Sequence, residues 1–166
     1  MIFVTVGTHE QQFDRLVKYM DEWAASHEEK IVMQTGYCTY EPINCSWEKF
    51  FSFQDMNRLV RDARIVITHG GPSSFIMALQ FGKIPIVVPR QKKYGEHVND
   101  HQLEFCKTVT EKQKNILVIE KINELGKTIT DYEKIIDEMD DNKPNHNAEF
   151  CKKFVFLVDD LFGDNE

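Results

Sequence analysis

Apolar positions along this chain alternate between two periods. Short apolar runs at Ile2 to Val6, Lys30 to Thr35, Glu48 to Phe53, Ile65 to Thr68, Ile84 to Val88 and Asn115 to Val118 read as six strands. Between the first two, Gln12 to about Ser26 repeats Phe13, Leu16, Val17, Met20, Trp23 and Ala24 at helical spacing, the stripe of a helix that buries one face. MNRLVRDA, capped by Asp55, and FIMALQFG, capped by Ser73 or Ser74, read as two more helices. Asp100 to Thr110 and Ile122 to Met139 add two others, whereas 36–46 is irregular and aromatic, with Tyr37, Tyr40 and Pro42.

This alternation predicts an α/β fold, a Rossmann-like parallel sheet flanked by helices and joined by right-handed crossovers. In such doubly wound sheets ligands sit beyond the carboxyl ends of the strands, where strand order reverses. The turns at Gly7 to His9, His69 to Ser74 and Arg90 to His97 therefore fall on one edge. Residues 1–140 form the domain and 141–166 a linker with a C-terminal amphipathic helix, the boundary lying in DEMDDNKPNHN at 137–147. That last helix, Ala148 to Phe162, repeats Phe150, Cys151, Phe154, Val155, Leu157, Val158, Leu161 and Phe162, and is expected to pack on the domain, on a partner, or on both.

Composition narrows the classes. A length of 166 residues suits a single domain with a substantial core. The net charge of −7 argues against a broad nucleic-acid or anionic-lipid footprint, leaving Arg90, Lys92 and Lys93 as a local basic spot. Cys38, Cys45, Cys106 and Cys151 are scattered, without zinc or disulfide spacing. No run approaches a bilayer span, and MIFVTVGTHEQ lacks the basic start and long apolar core of a signal peptide, so a cytoplasmic protein is expected.

The candidate chemistry starts from the turn after the fourth strand. In His69-Gly70-Gly71-Pro72-Ser73-Ser74, two glycines admit close approach of a ligand to main-chain amides, and the unpaired amides and dipole of the following helix favour a diphosphate. The loop after the fifth strand carries Arg90, Glu96, His97, Asn99, Asp100, His101 and Gln102, a polar set able to read hydroxyl groups. Gly7 and Thr8 offer a further phosphate contact or a simple helix start, and His9 and Glu10 follow them as candidates for proton or acceptor contacts. No D-x-D metal motif occurs; the Asp140-Asp141 and Asp159-Asp160 pairs read as solvated charge.

HGG followed by Ser, a GK-x-P strand and an N-x-HQ segment occur in one order at close spacing, and this resembles the donor-binding half of GT-B glycosyltransferases. IVITHGGPSSFIMALQFGKIPIVVP with NDHQLEF is similar to the small catalytic subunit of the split dolichol-pathway N-acetylglucosaminyltransferase. With FVTVGTHEQQFDRLVKYMDEWA it is closer still to bacterial capsule and exopolysaccharide galactosyltransferase subunits; these segments cover most of 1–106.

The resemblance implies the C-terminal lobe of a GT-B enzyme, related to the glycosyltransferase family 28 C-terminal domain. It also implies a UDP-sugar substrate, no cofactor or metal, and a membrane-anchored partner that holds a lipid-linked saccharide acceptor at the inner face of the cell membrane. By the same resemblance Gly7, Thr8, His69, Gly70, Gly71, Ser73 and Ser74 would hold the diphosphate, and Glu96, His97, Asn99, His101 and Gln102 the sugar. The general base is left among His9, Glu10 and a partner residue. One departure stands out: Met77 occupies the position where many such lobes carry a ribose-binding glutamate. A non-catalytic nucleotide-sugar-binding subunit and a self-sufficient homodimeric transferase are the alternatives.

Overall fold

The computed structural model describes residues 1–140. Its six strands are β1 (Ile2–Thr5), β2 (Ile31–Gln34), β3 (Ser46–Glu48), β4 (Ile65–His69), β5 (Ile86–Val88) and β6 (Leu117–Val118). They form one sheet in the order β3-β2-β1-β4-β5-β6, and every neighbouring pair is parallel. The helices are α1 (Asp14–Ala24), α2 (Phe53–Asp62), α3 (Pro72–Gln80), α4 (His101–Gln113), α5 (Leu125–Thr130) and α6 (Tyr132–Asp140). The expected linker runs beyond α6, and it and the helix expected at Ala148 to Phe162 lie outside the described residues.

Both sheet faces are covered, which is why the strands read as nearly unbroken apolar runs. The pleat sends Ile2, Val4 and Val6 to one face, where they meet Phe13, Leu16, Val17 and Met20 of the α1 segment and Leu125, Ile129 and Tyr132 of the α5–α6 segment. Phe3, Val32 and Val66 point to the other face, against Val60, Ala63 and Ala78. A third cluster packs Phe75, Ile76 and Leu79 of α3 on Val87 and on Cys106 and Val109 of α4. Each large side chain so buried contributes about 1.5–3 kcal/mol.

Several boundaries differ from expectation for identifiable reasons. The third strand lies at Ser46–Glu48, not Glu48 to Phe53, because Ser52 caps α2 by accepting the Asp55 amide at 3.1 Å. Asp55 is thus the third residue of the helix, bonded back to the Ser52 hydroxyl, rather than its cap. Helix α3 starts earlier than expected, with Gly71 at its cap and Pro72 in its first position, so neither Ser73 nor Ser74 is the cap. β5 begins after Pro85, whose carbonyl accepts the Leu117 amide. The single helix expected over Ile122 to Met139 is broken into a 3-10 turn at Ile122–Glu124, α5 and α6. The break lets Ile129 and Tyr132 both turn inward, the Tyr132 hydroxyl donating to the Ile84 carbonyl at 2.7 Å.

Candidate functional site

Strand order reverses between β1 and β4, so their carboxyl ends frame a crevice to which β5 adds a third loop. The Gly7 to His9, His69 to Ser74 and Arg90 to His97 turns meet there. The wall between the first two is a single side chain. His69, only 7% exposed, slots its ring between the main chains of Gly7 and Gly71. A Cβ on Gly7 would stand 2.3 Å from His69 Nε2, and one on Gly71 2.1 Å from Cε1, distances no side chain tolerates. Gly7 also adopts φ +75°, in the left-handed region that favours glycine.

The bonds of His69 settle its protonation. The Gly71 amide donates to Nδ1 at 3.0 Å, so the neutral ring carries its proton on Nε2 and donates it to Ser74 Oγ at 2.9 Å. Burial first, then the nearby Arg90 charge, lowers the His69 pKa to about 3, so the ring is neutral at physiological pH. Because Ser74 Oγ accepts this bond, its own hydroxyl proton is left to donate. The Ser73 amide belongs to the first helical turn, whose N–H groups lack intrahelical acceptors. The Ser74 amide, by contrast, bonds the Gly71 carbonyl at 3.1 Å. Of the expected amide cradle, Gly71 N–H is therefore turned into the histidine, Pro72 has none, and Ser73 N–H and the Ser74 hydroxyl are the donors on hand.

Two arginines fasten the other loops. Arg90 is fully buried; its Nη1 donates to the carbonyls of Gln11 and Gln12 at 2.8 Å each and of Glu96 at 3.3 Å, and Nη2 donates to that of Val6 at 3.0 Å. The guanidinium lies 4.8 Å from the Phe13 ring centroid. Arg15 of α1 makes a fork-shaped pair with Glu96, Nε to Oε1 at 2.7 Å and Nη2 to Oε2 at 2.9 Å. Glu96 is 1% exposed and also accepts the Gln91 amide at 3.0 Å. Its carboxylate, expected to face sugar hydroxyls, is spent on holding the β5–α4 loop to α1.

The remaining candidates divide. Thr8, His9 and Glu10 are exposed at the tip of the first loop. His9 and His97 meet across the loops with ring centroids 5.0 Å apart. Burial, Arg90 and His97 lower the His9 pKa from its ordinary value, against a smaller upward pull from Glu10. Asn99 Oδ1 accepts the His101 amide at 3.1 Å and so starts α4, while the His101 side chain is exposed. Gln102 turns inward, Oε1 accepting the Arg90 amide at 3.2 Å, and its Cβ would lie 3.0 Å from one placed on Gly70. Met77 packs against the Phe3 and Ala78 cluster, in the apolar layer under α3. A shallow recess of about 460 Å³ near Trp23, His27, Glu29 and Arg64 lies at the amino ends of the strands, away from all these groups.

Arg15 escapes a reading of the sequence because its partner is 81 residues away. The usable signal is a charged residue directly beside the apolar stripe of α1. Arg90 sits just after the last buried residue of β5, which reads as a loop charge until the carbonyls converging on it are seen.

Comparison with curated proteins finds no match. Among solved structures, the glycotransferase of kitacinnamycin aligns with a TM-score of 0.54 and 16% identity over 78% of this chain and 34% of its own. The glycosyltransferase SnogD from Streptomyces nogalater aligns with a TM-score of 0.51 and 20% identity over 94% of this chain and 42% of its own. At such identities the likeness is one of fold, and it matches the expected GT-B lobe; this chain spans less than half the length of either structure. The glycosyltransferase family 28 C-terminal domain matches residues 1–156, nearly the whole sequence. With that match over a sheet whose strand order and crevice suit it, the chain belongs to the glycosyltransferase family 28 C-terminal domain family.

Proposed function

We propose that this chain is the donor-binding, catalytic subunit of a two-component glycosyltransferase that moves a sugar, galactose in the leading version, from a UDP-sugar to a lipid-linked saccharide in capsule or exopolysaccharide synthesis. One observation carries the reading: His69, wedged between Gly7 and Gly71, holds the Ser74 hydroxyl and the first turn of α3 at the point where strand order reverses. A leaving diphosphate gains charge as the glycosidic bond breaks, and preorganised amide and hydroxyl donors stabilise that charge without reorganising. Ser73 N–H and Ser74 Oγ–H are such donors, supported by the α3 dipole, and this chemistry asks for no metal.

The other half of the reaction belongs to a membrane-anchored partner that brings the acceptor over the crevice and keeps the complex at the inner face of the membrane. Among the described residues no helix is long and apolar enough to cross a bilayer, so an anchor by such a helix would come from elsewhere. Met77, packed in the apolar layer rather than facing ribose, favours a second reading in which the chain binds a nucleotide sugar without catalysing transfer.

Calorimetric titration of the chain with UDP, UDP-galactose, UDP-glucose and UDP-N-acetylglucosamine tests the donor site. Binding of UDP with a preference among the sugars is the expected result. Absence of binding both by the folded chain and by its complex with the partner sinks the reading. Turnover by that complex, with none from the partner alone, separates the catalytic version from the non-catalytic one.

A further inference from the structure

Three histidines, one on each crevice loop, share a local bond. In each the ring Nδ1 accepts the main-chain amide two residues on: His9 from Gln11 at 3.2 Å, His69 from Gly71 at 3.0 Å, and His97 from Asn99 at 3.4 Å. A neutral imidazole whose Nδ1 is an acceptor carries its proton on Nε2. His69 uses that proton on Ser74. For His9 and His97, among the described residues, Nε2–H meets no acceptor.

These two rings face each other at 5.0 Å, one from the loop after β1 and one from the loop after β5. The charges around them nearly balance. Arg90 and His69 lie close behind, Glu10 is the carboxylate that acts on His9, and Glu96, next to His97, is neutralised by Arg15. Among the described residues no three His, Cys, Asp or Glu side chains group to hold a metal ion.

We propose that His9 and His97 form a two-donor subsite for a phosphate oxyanion at the mouth of the crevice, and that His9 is a hydrogen-bond donor there rather than the base that takes the acceptor proton. The second part follows from the first bond: Nε2, the free nitrogen of His9, already holds its proton, and Nδ1 is occupied by the Gln11 amide. The subsite rests on the proposed glycosyl transfer only for the owner of the phosphate, which is either a nucleoside diphosphate or the phosphate of a lipid-linked acceptor.

Long-range proton–nitrogen NMR of the intact labelled chain tests it, with His9→Ala and His97→Ala assigning the rings. The expected result is Nε2–H on both rings at neutral pH. Inorganic diphosphate then raises the titration midpoint of His9 and shifts the His97 ring, because a bound anion favours imidazolium. His9→Ala weakens diphosphate on the order of tenfold. His9→Gln, whose amide N–H stands where Nε2–H stood, retains most of the affinity; equal loss in both variants overturns the donor role, as does an Nδ1–H ring at His9. UDP and farnesyl phosphate, added separately, assign the phosphate to donor or acceptor, and rings unmoved by all three anions overturn the subsite. UDP that perturbs the Ser73 amide but neither ring sinks the subsite and keeps the donor site. Diphosphate that moves the rings when no UDP-sugar binds, with or without the partner, does the reverse.

Discussion

His69 shows how one side chain sets both local stability and the chemistry of the crevice. Its pKa stands near 3 in the folded chain, mainly through burial and then through Arg90, against an ordinary value of 6.5. Above 6.5 both folded and unfolded chains hold it neutral, and its contribution is fully present. As pH falls through 6.5 the unfolded chain takes up a proton that the folded chain refuses until about 3, so stability drains across that window by at most about 1.4 kcal/mol per pH unit. His9, also lowered, acts in the same direction, so the readout is a difference. Urea unfolding of wild type and His69→Gln at pH 7.5 and pH 5 is expected to show a smaller pH penalty in the variant; equal penalties would mean the ring is not buried neutral. The glycines beside it give a second prediction. Gly71→Ala puts a methyl 2.1 Å from the ring, so it should destabilise by about 1–3 kcal/mol and weaken UDP binding. Combining it with His69→Ala removes the collision, and the double variant should be more stable than the sum of the single losses, measured as a cycle.

At the scale of elements, the three loops act together because α1 and the β5–α4 loop are fastened by Arg15–Glu96 and by Arg90. The Arg15–Glu96 pair is 13% and 1% exposed, so removing one partner strands a charge in a poorly solvated place. Glu96→Ala is expected to destabilise by about 3–5 kcal/mol, and Arg15→Met with Glu96→Leu to recover much of that. Denaturation of the two single variants and the pair measures the coupling, and a coupling near zero would mean the fork is incidental. If Glu96 acts only through this fork, its loss should weaken UDP and UDP-sugar alike rather than the sugar alone. The same elements show what a linear reading captures. The strand cores and the α1 stripe were legible because hydrophobic period is a local property, and the HGG turn because glycines next to a strand announce close approach. The third strand was misplaced because Phe50, Phe51 and Phe53 look like strand residues, while Ser52 among them is a helix cap. The fork and the Arg90 clamp were not legible, since both join segments 74 or more residues apart through side chains whose direction only the sheet order decides.

For the whole molecule, the described residues supply one side of the crevice. Gly7, His69, Ser73, Ser74, His9 and His97 all lie at the carboxyl edge of one sheet, and the chain spans 34% and 42% of the two solved glycosyltransferases it aligns with. Glycosyl transfer requires the acceptor hydroxyl within attacking distance of the sugar and water kept out, and effective molarity of that kind comes from a site closed on both sides. Under the proposed function Ser73 N–H and Ser74 Oγ–H would meet the diphosphate half of that demand, whereas the candidate base His9 is tied into a donor tautomer. The expected behaviour is therefore binding without efficient transfer by the chain alone. Isolated chain should bind UDP by calorimetry, hydrolyse or transfer sugar at most slowly, and gain transfer by several orders of magnitude when the proposed acceptor-binding partner is added. A proton acceptor supplied by the proposed partner would set the pH profile of the complex, so His9→Gln should leave its acidic limb in place. Full turnover by the chain alone, second order in its concentration, would instead make a second copy the missing wall. Loss of the acidic limb in His9→Gln would return the base to this chain.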